Sequence, residues 1–196
     1  AVAFHDLRSN ADDYSIEFQN CKFDNNSVTG NDGKGASLYF NVSYSVTVSS
    51  CNFTFQSLNG YGGAVYAESS SNVFIENSGF YSTVTSGGRG NAIYLARGLP
   101  IATIANNNKF VDCGTSKTGS VIESEAKEFV FDSNNIQFTT PNQGVRGIHF
   151  PCQCTVKISN SSISGCNSNG EGGGILFNGD TSNQPEFIQI ETTVFE

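Results

Sequence analysis

Five residues recur at one place in a repeating pattern, Tyr39, Tyr66, Tyr94, Glu123 and His149, and they carry most of the chemistry open to this chain. Three readings stand side by side. Tyrosines at one position of successive strands stack into a ladder that braces a sheet. The same row, apolar faces with polar tips, makes Tyr39, Tyr66 and Tyr94 candidates for a glycan-binding strip. Glu123 and His149 would then be neighbours on adjacent strands, where a carboxylate and an imidazole can share proton transfer. Glu123 and Glu125 fall on one strand face at roughly 7 Å, within the range that inverting glycoside hydrolysis uses. A solvated strand face accounts for two such carboxylates equally well.

Cysteine and asparagine supply the remaining candidates. The six cysteines, Cys21, Cys51, Cys113, Cys152, Cys154 and Cys166, permit a disulfide framework outside the cytosol. Cys21 and Cys51 occupy equivalent places in consecutive repeats, at a separation that suits either a bridge or a buried reduced pair. Cys113 and Cys166 are also equivalent but two repeats apart, too far for an unstrained bridge, with Cys152 and Cys154 between them as possible partners. Cys152 and Cys154 stand too close together for a structural zinc knuckle, and no metal or cofactor is expected. Sequons occur at Asn25, Asn41, Asn52 and Asn160. The first three are the expected glycosylation sites, and Asn160 is expected to be buried. Residues 29–35, "TGNDGKG", lack the remaining ligands of a calcium loop and read as a turn.

These residues are placed by a repeat. Leu38, Val65, Ile93, Ile122, Ile148 and Ile175 form one column, spaced 27, 28, 29, 26 and 27. Phe23, Phe53, Phe80, Phe110, Ile136, Ile163 and Phe195 form a second, spaced 30, 27, 30, 26, 27 and 32. Seven and five residues before the second column lies an alternating apolar pair, from Ile16/Phe18 to Ile188/Ile190; only the fourth copy, Thr103/Ala105, is weak, and Ile101 and Ile104 suggest a local phase shift. Alternation is the signature of strands, and a 26–32-residue period leaves no room for a crossover helix. The fold class is therefore all-β, a right-handed, single-stranded parallel β-helix solenoid of about seven coils. Three residues before the second column, Asn20, Ser50, Asn77, Asn107, Ser133 and Asn160 suggest a stacked polar ladder.

Composition narrows the partners. The 196 residues carry a formal net charge of −8, from 18 acidic and 10 basic side chains, without the basic stripe that nucleic acid demands. Arg89, Arg97 and Arg146 are scattered and read as solubilising. No apolar run is long enough to span a membrane. The "GGAV" of residues 62–65 and "GGGI" of residues 172–175, with the FxxN pattern at residues 23–26 and 131–134, resemble the repeats of chlamydial polymorphic outer-membrane proteins and, more loosely, the pectin-lyase-like β-helix superfamily. That resemblance implies surface display and adhesion. The Asp clusters of that fold's calcium-dependent lyases and the Asn-Thr-Asp, Asp-Asp and Gly-His-Gly signatures of polygalacturonases are missing.

A solenoid exposes a strand edge at each end. Residues 1–13 read as a strand and linker that can serve as an inter-subunit arm, and residues 14–196 as the β-helix. Val2 and Phe4 are expected to pair with a neighbour's last coil at Ile188, Ile190 and Phe195. The expected function is an extracellular or cell-surface, noncatalytic structural protein that self-associates end to end as a filament subunit or stalk. The alternatives are an adhesin for surface glycans and a carbohydrate-active enzyme, a polysaccharide lyase or hydrolase.

Overall fold

The computed structural model describes residues 2–5, 15–41, 44–68, 72–86, 89–114, 119–178 and 187–196. Among them the chain is all strand and turn, with no helix and hence none long and apolar enough to cross a membrane. It winds as a parallel β-solenoid. Sheet I stacks Val2–His5, Leu38–Asn41, Val65–Glu68, Ile93–Leu95, Ser120–Ser124, Arg146–Phe150 and Ile175–Phe177. Sheet II stacks Ser15–Gln19, Ser45–Ser49, Asn72–Glu76, Ile101–Ala105, Glu128–Asp132, Thr155–Ser159 and Phe187–Glu191. Sheet III runs from Lys22–Asp24 through Asn52–Thr54, Gly79–Tyr81, Lys109–Val111, Asn135–Gln143 and Ser162–Asn167 to Val194–Phe195. A short sheet IV, of Ser27–Lys34, Ser57–Tyr61 and Val84–Thr85, flanks the first three coils. The solenoid makes about five turns, slightly fewer than the seven coils expected; coils are numbered by their strand in sheet II.

The expected columns are the observed registers. Leu38, Val65, Ile93, Ile122, Ile148 and Ile175 pair in succession, and Val2 heads the same column. Phe23, Phe53, Phe80, Phe110, Ile136, Ile163 and Phe195 do likewise in sheet III. The first four rings of that column stack face to face, with centroids 4.8, 4.8 and 4.7 Å apart and planes within 6°. One coil spacing is thus also one stacking distance. In the fourth coil the inward pair is Ala102/Ile104, the phase shift the sequence hinted at.

Three expectations need correction here. First, Val2–His5 does not leave its own rod: it lies on Leu38–Asn41 of the same chain, with Phe4 opposite Phe40. Val2 continues an inward column, so within the single chain the segment is a first rung; the expected linker, residues 6–13, lies outside the described residues. Second, residues 29–35 are no turn. Thr29 to Lys34 belong to a strand of sheet IV whose register shifts between Val28 and Gly33.

Third, the polar ladder sits one residue later than expected. Asn20, Ser50, Asn77, Asn107, Ser133 and Asn160, with Thr192, all have left-handed backbone, φ 46–66°, and all but Ser133 are exposed. Asn and Ser tolerate that conformation best among non-glycine residues. The ladder itself is Cys21, Cys51, Ser78, Asn108, Asn134, Ser161 and Thr193. Backbone N–H groups of Cys51, Ser78, Asn108 and Asn134 donate to the side chain one coil on, over 3.1, 2.8, 3.0 and 3.1 Å. Asn160 is consequently exposed, and its amide donates to Asp132 Oδ1 at 2.9 Å. Of the other sequons Asn25 and Asn52 are exposed and Asn41 is half-buried.

The same ladder explains the cysteines. All six are reduced. Cys21 Sγ donates to Gln19 O and Cys51 Sγ to Ser49 O, the same two-residue reach by which Ser78, Ser161 and Thr193 bond to Glu76, Ser159 and Glu191. The thiols stand in for hydroxyls at strand-end carbonyls, and those of Cys21 and Cys51 also hydrogen-bond to each other as reduced groups. Cys113 does likewise at the next corner, donating to Phe80 O at 3.3 Å.

These contacts set a stability contrast. Phe80→Ala removes a ring stacked on both faces and costs about 3–5 kcal/mol. Asn108→Ala strands Ser78 N–H, at about 1–3 kcal/mol for a buried group left unpaired, while Asn107→Gly one residue away stays within about 0.5 kcal/mol of wild type. Urea melts of the three variants check the order.

Candidate functional site

The outer face of sheet I carries the candidate row. Glycines set its entry: Gly35, Gly62, Gly90 and Gly172 have φ 54–67°, and a Cβ at Gly62 would lie 2.4 Å from Val65 O. Each such turn delivers one aliphatic residue inward and the next residue outward. Tyr39, Tyr66, Tyr94, Glu123, His149 and Leu176 follow one another in register along this face. The row points away from the solenoid core as expected, yet it is not a solvent face. Tyr66 and Tyr94 are only 5% and 6% exposed and form a second, smaller cluster with Ala96, Tyr39 and Tyr61.

Two flanking columns do the covering. Four residues before the inward aliphatic stand Lys34, Tyr61 and Arg89, and three after it stand Asn41, Glu68, Ala96 and Glu125. Lys34 Nζ donates to both oxygens of Glu68 at 3.0 Å and lies 4.9 Å from the Tyr66 ring centroid. Tyr39 and Tyr66 donate to Glu68 at 2.6 and 3.0 Å. Tyr94 donates to Glu125, which pairs with Arg97 at 3.5 Å. Arg89 lies 3.6 Å from Glu123 and over the Tyr61 ring. Arg89 and Arg97 are therefore partners of the row, while Arg146 donates to Glu171 O. The sequence reading missed Lys34 and Glu68. Their signal was position in the repeat, readable only once the glycine turn fixed which columns converge.

Electrostatics follow from this packing. Burial, then the hydrogen bond to anionic Glu68, pushes the Tyr39 hydroxyl up to about 12. Burial, with the nearby carboxylates, raises Tyr66 and Tyr94 further. For Glu68, burial opposes ionisation, but donation from Tyr39, Lys34 and Tyr66 outweighs it and holds the carboxyl below its usual range. The Glu123 carboxylate beside it raises Arg89.

As a glycan strip the row is poorly disposed. The Tyr66 and Tyr94 rings stack on each other at 5.2 Å, and Tyr39 meets Tyr66 edge to face at 5.6 Å, so their faces are already occupied. Glu123 and His149 do meet, Nδ1 to Oε2 at 3.2 Å, but the Glu123 side chain is 2% exposed. Its Oε1 and His149 Nε2 are buried without hydrogen bonds. Glu125 lies past the strand end with its own partners, Tyr94 and Arg97, so the two glutamates do not act across a shared open face. No protein family, curated protein or solved structure matches the chain. The FxxN likeness also divides: Phe23 lies in sheet III and Phe131 in sheet II, so the two copies are not equivalent parts of a coil.

The tyrosine cluster predicts alkaline sensitivity. Tyr39 keeps its proton to about 12 when folded and loses it near 10 when unfolded, so its contribution is whole below 10 and disappears as pH rises from 10 to 12. Denaturant melts across that window show stability falling with pH, less steeply in Tyr39→Phe. Glu68 has the opposite sign: its contribution is present above the ordinary carboxylate range and lost as pH falls through its lowered value.

Proposed function

We propose that the chain is a noncatalytic structural rod, extracellular or at the cell surface, whose copies join end to end as filament subunits or stalk segments. One observation carries this reading. Three seven-stranded sheets carry the same columns from coil to coil, so each coil is shaped to receive another of its kind along the axis. A second copy seated on the coil of Phe187–Glu191 and Val194–Phe195 places Val2 over Ile175, Ile16/Phe18 over Ile188/Ile190, and Phe23 over Phe195. That contact is heterologous and propagates. It revises the strand-exchange route, because Val2–His5 joins the interface as part of its own first coil. The exposed sequons at Asn25 and Asn52 support a secreted location. The self-occupied tyrosine faces favour the rod over the glycan-binding alternative.

Sedimentation velocity and electron microscopy over a concentration series test the proposal. Wild type forms linear assemblies, and Ile190→Asp raises the assembly threshold roughly tenfold or more, as loss of about 1.5–3 kcal/mol of aliphatic burial requires. A chain that stays monomeric throughout the series overturns it.

A further inference from the structure

The corner between sheets I and II in the sixth coil holds Cys152 and Cys154, separated by an exposed Gln153. Both cysteines face inward, 5% and 2% exposed, and both line a cavity of about 330 Å³ with Arg97, Glu125 and Lys127 from the two coils beneath. The Cys154 thiol hydrogen-bonds to Cys152 Sγ. Cys21 and Cys51 also hydrogen-bond thiol to thiol, but Cys152 and Cys154 are the pair that lines this cavity. Cys21, Cys51 and Cys113 are engaged by carbonyls in the corner ladders.

We propose that Cys152 and Cys154 are a thiol–disulfide exchange site that takes a small, carboxylate-bearing disulfide at this cavity. Among the lining residues Arg97 is paired with Glu125 and Lys127 adds one further cation, which suits an anionic substrate. The pair also has the geometry of a labile bridge. Two residues of extended chain span about 6.4–6.8 Å, the long limit for a disulfide. A bridge closed across so short a segment belongs with the readily reduced, exchanging class and not with structural disulfides. Proton affinity agrees with the geometry: the Cys154 hydrogen bond, helped by Arg97, lowers Cys152 and outweighs burial, Glu125 and Glu123, which act against it. Burial instead pushes Cys113 up to about 11 and Cys166 up to about 12.

The exchange balances without a cofactor. The Cys152 thiolate attacks one sulfur of the substrate disulfide; the sulfur–sulfur bond breaks, and the departing thiolate takes up the proton Cys152 gave. Cys154 then gives its proton to the second leaving thiolate and attacks Cys152 Sγ, closing the Cys152–Cys154 bond. Two protein thiols are oxidised and one substrate disulfide is reduced to two thiols.

The folded 196-residue chain is equilibrated in buffers of varied reduced-to-oxidised glutathione ratio, alkylated, and read by peptide mass spectrometry. The expected result is an intrapeptide Cys152–Cys154 disulfide that forms and reverses across the series while Cys51 and Cys113 stay reduced. Cys154→Ser traps a mixed disulfide on Cys152, and Cys152→Ser slows reaction at Cys154 by roughly tenfold or more, as loss of the more ionised thiol dictates. Because the wild-type selectivity is read without any substitution, a misfolded variant does not shield the proposal. Two reduced thiols at every ratio, equal oxidation of the ladder cysteines, or no adduct on Cys154→Ser overturns it.

Discussion

In-register parallel pairing at about 4.8 Å per coil is the constraint on which everything else rests. It makes each residue the neighbour of its own equivalent, so any side chain that packs or bonds well with a copy of itself can be repeated. Phenylalanine does so through ring stacking, at the 4.7–4.8 Å seen from Phe23 to Phe110. Asparagine does so through its amide, and Asn108 Nδ2 donates to Asn134 Oδ1 at 2.9 Å while also serving Ile75 O and Ala105 O. A charge cannot stack on its own kind, which is why the outer columns alternate sign or type: Glu68 meets Lys34, and Glu123 meets Arg89 and His149.

That constraint also decides what sequence can disclose. The inward columns were legible because alternation and a 26–32-residue period together specify side and register, even where the fourth coil slips to Ala102/Ile104. The ladder was misplaced by one residue because its column and the adjacent turn column draw on the same Asn and Ser. One is selected for left-handed backbone and the other for bonding into the next coil, and composition does not separate the two. Cys21, Cys51 and Cys113 were read as bridge candidates because a thiol doing a hydroxyl's work leaves no mark in the sequence.

The outer face was harder. Alternation correctly sent Tyr66 and Tyr94 outward, but outward is not exposed when a lysine, an arginine and two glutamates close over the rings. Whether a face is covered depends on columns four before and three after the aliphatic residue meeting at one edge. The turn geometry brings that about, and periodicity alone does not reveal it. The carboxylates there are bound up with tyrosine hydroxyls and cations; Glu123 Oε1 is held by Arg89 at 3.6 Å without a hydrogen bond, and His149 Nε2 is buried without one.

The strands lie across the rod and their hydrogen bonds run along it, which gives the molecule a particular response to tension. Force applied along the axis loads the backbone bonds of the outermost coil first, and that coil peels before the next is strained. Each coil of about 27 residues that detaches frees on the order of 90 Å of extended chain. A rod of stacked coils under load therefore lengthens in equal steps from its ends, absorbing work at each, while the coils still seated keep the full set of contacts they had at rest.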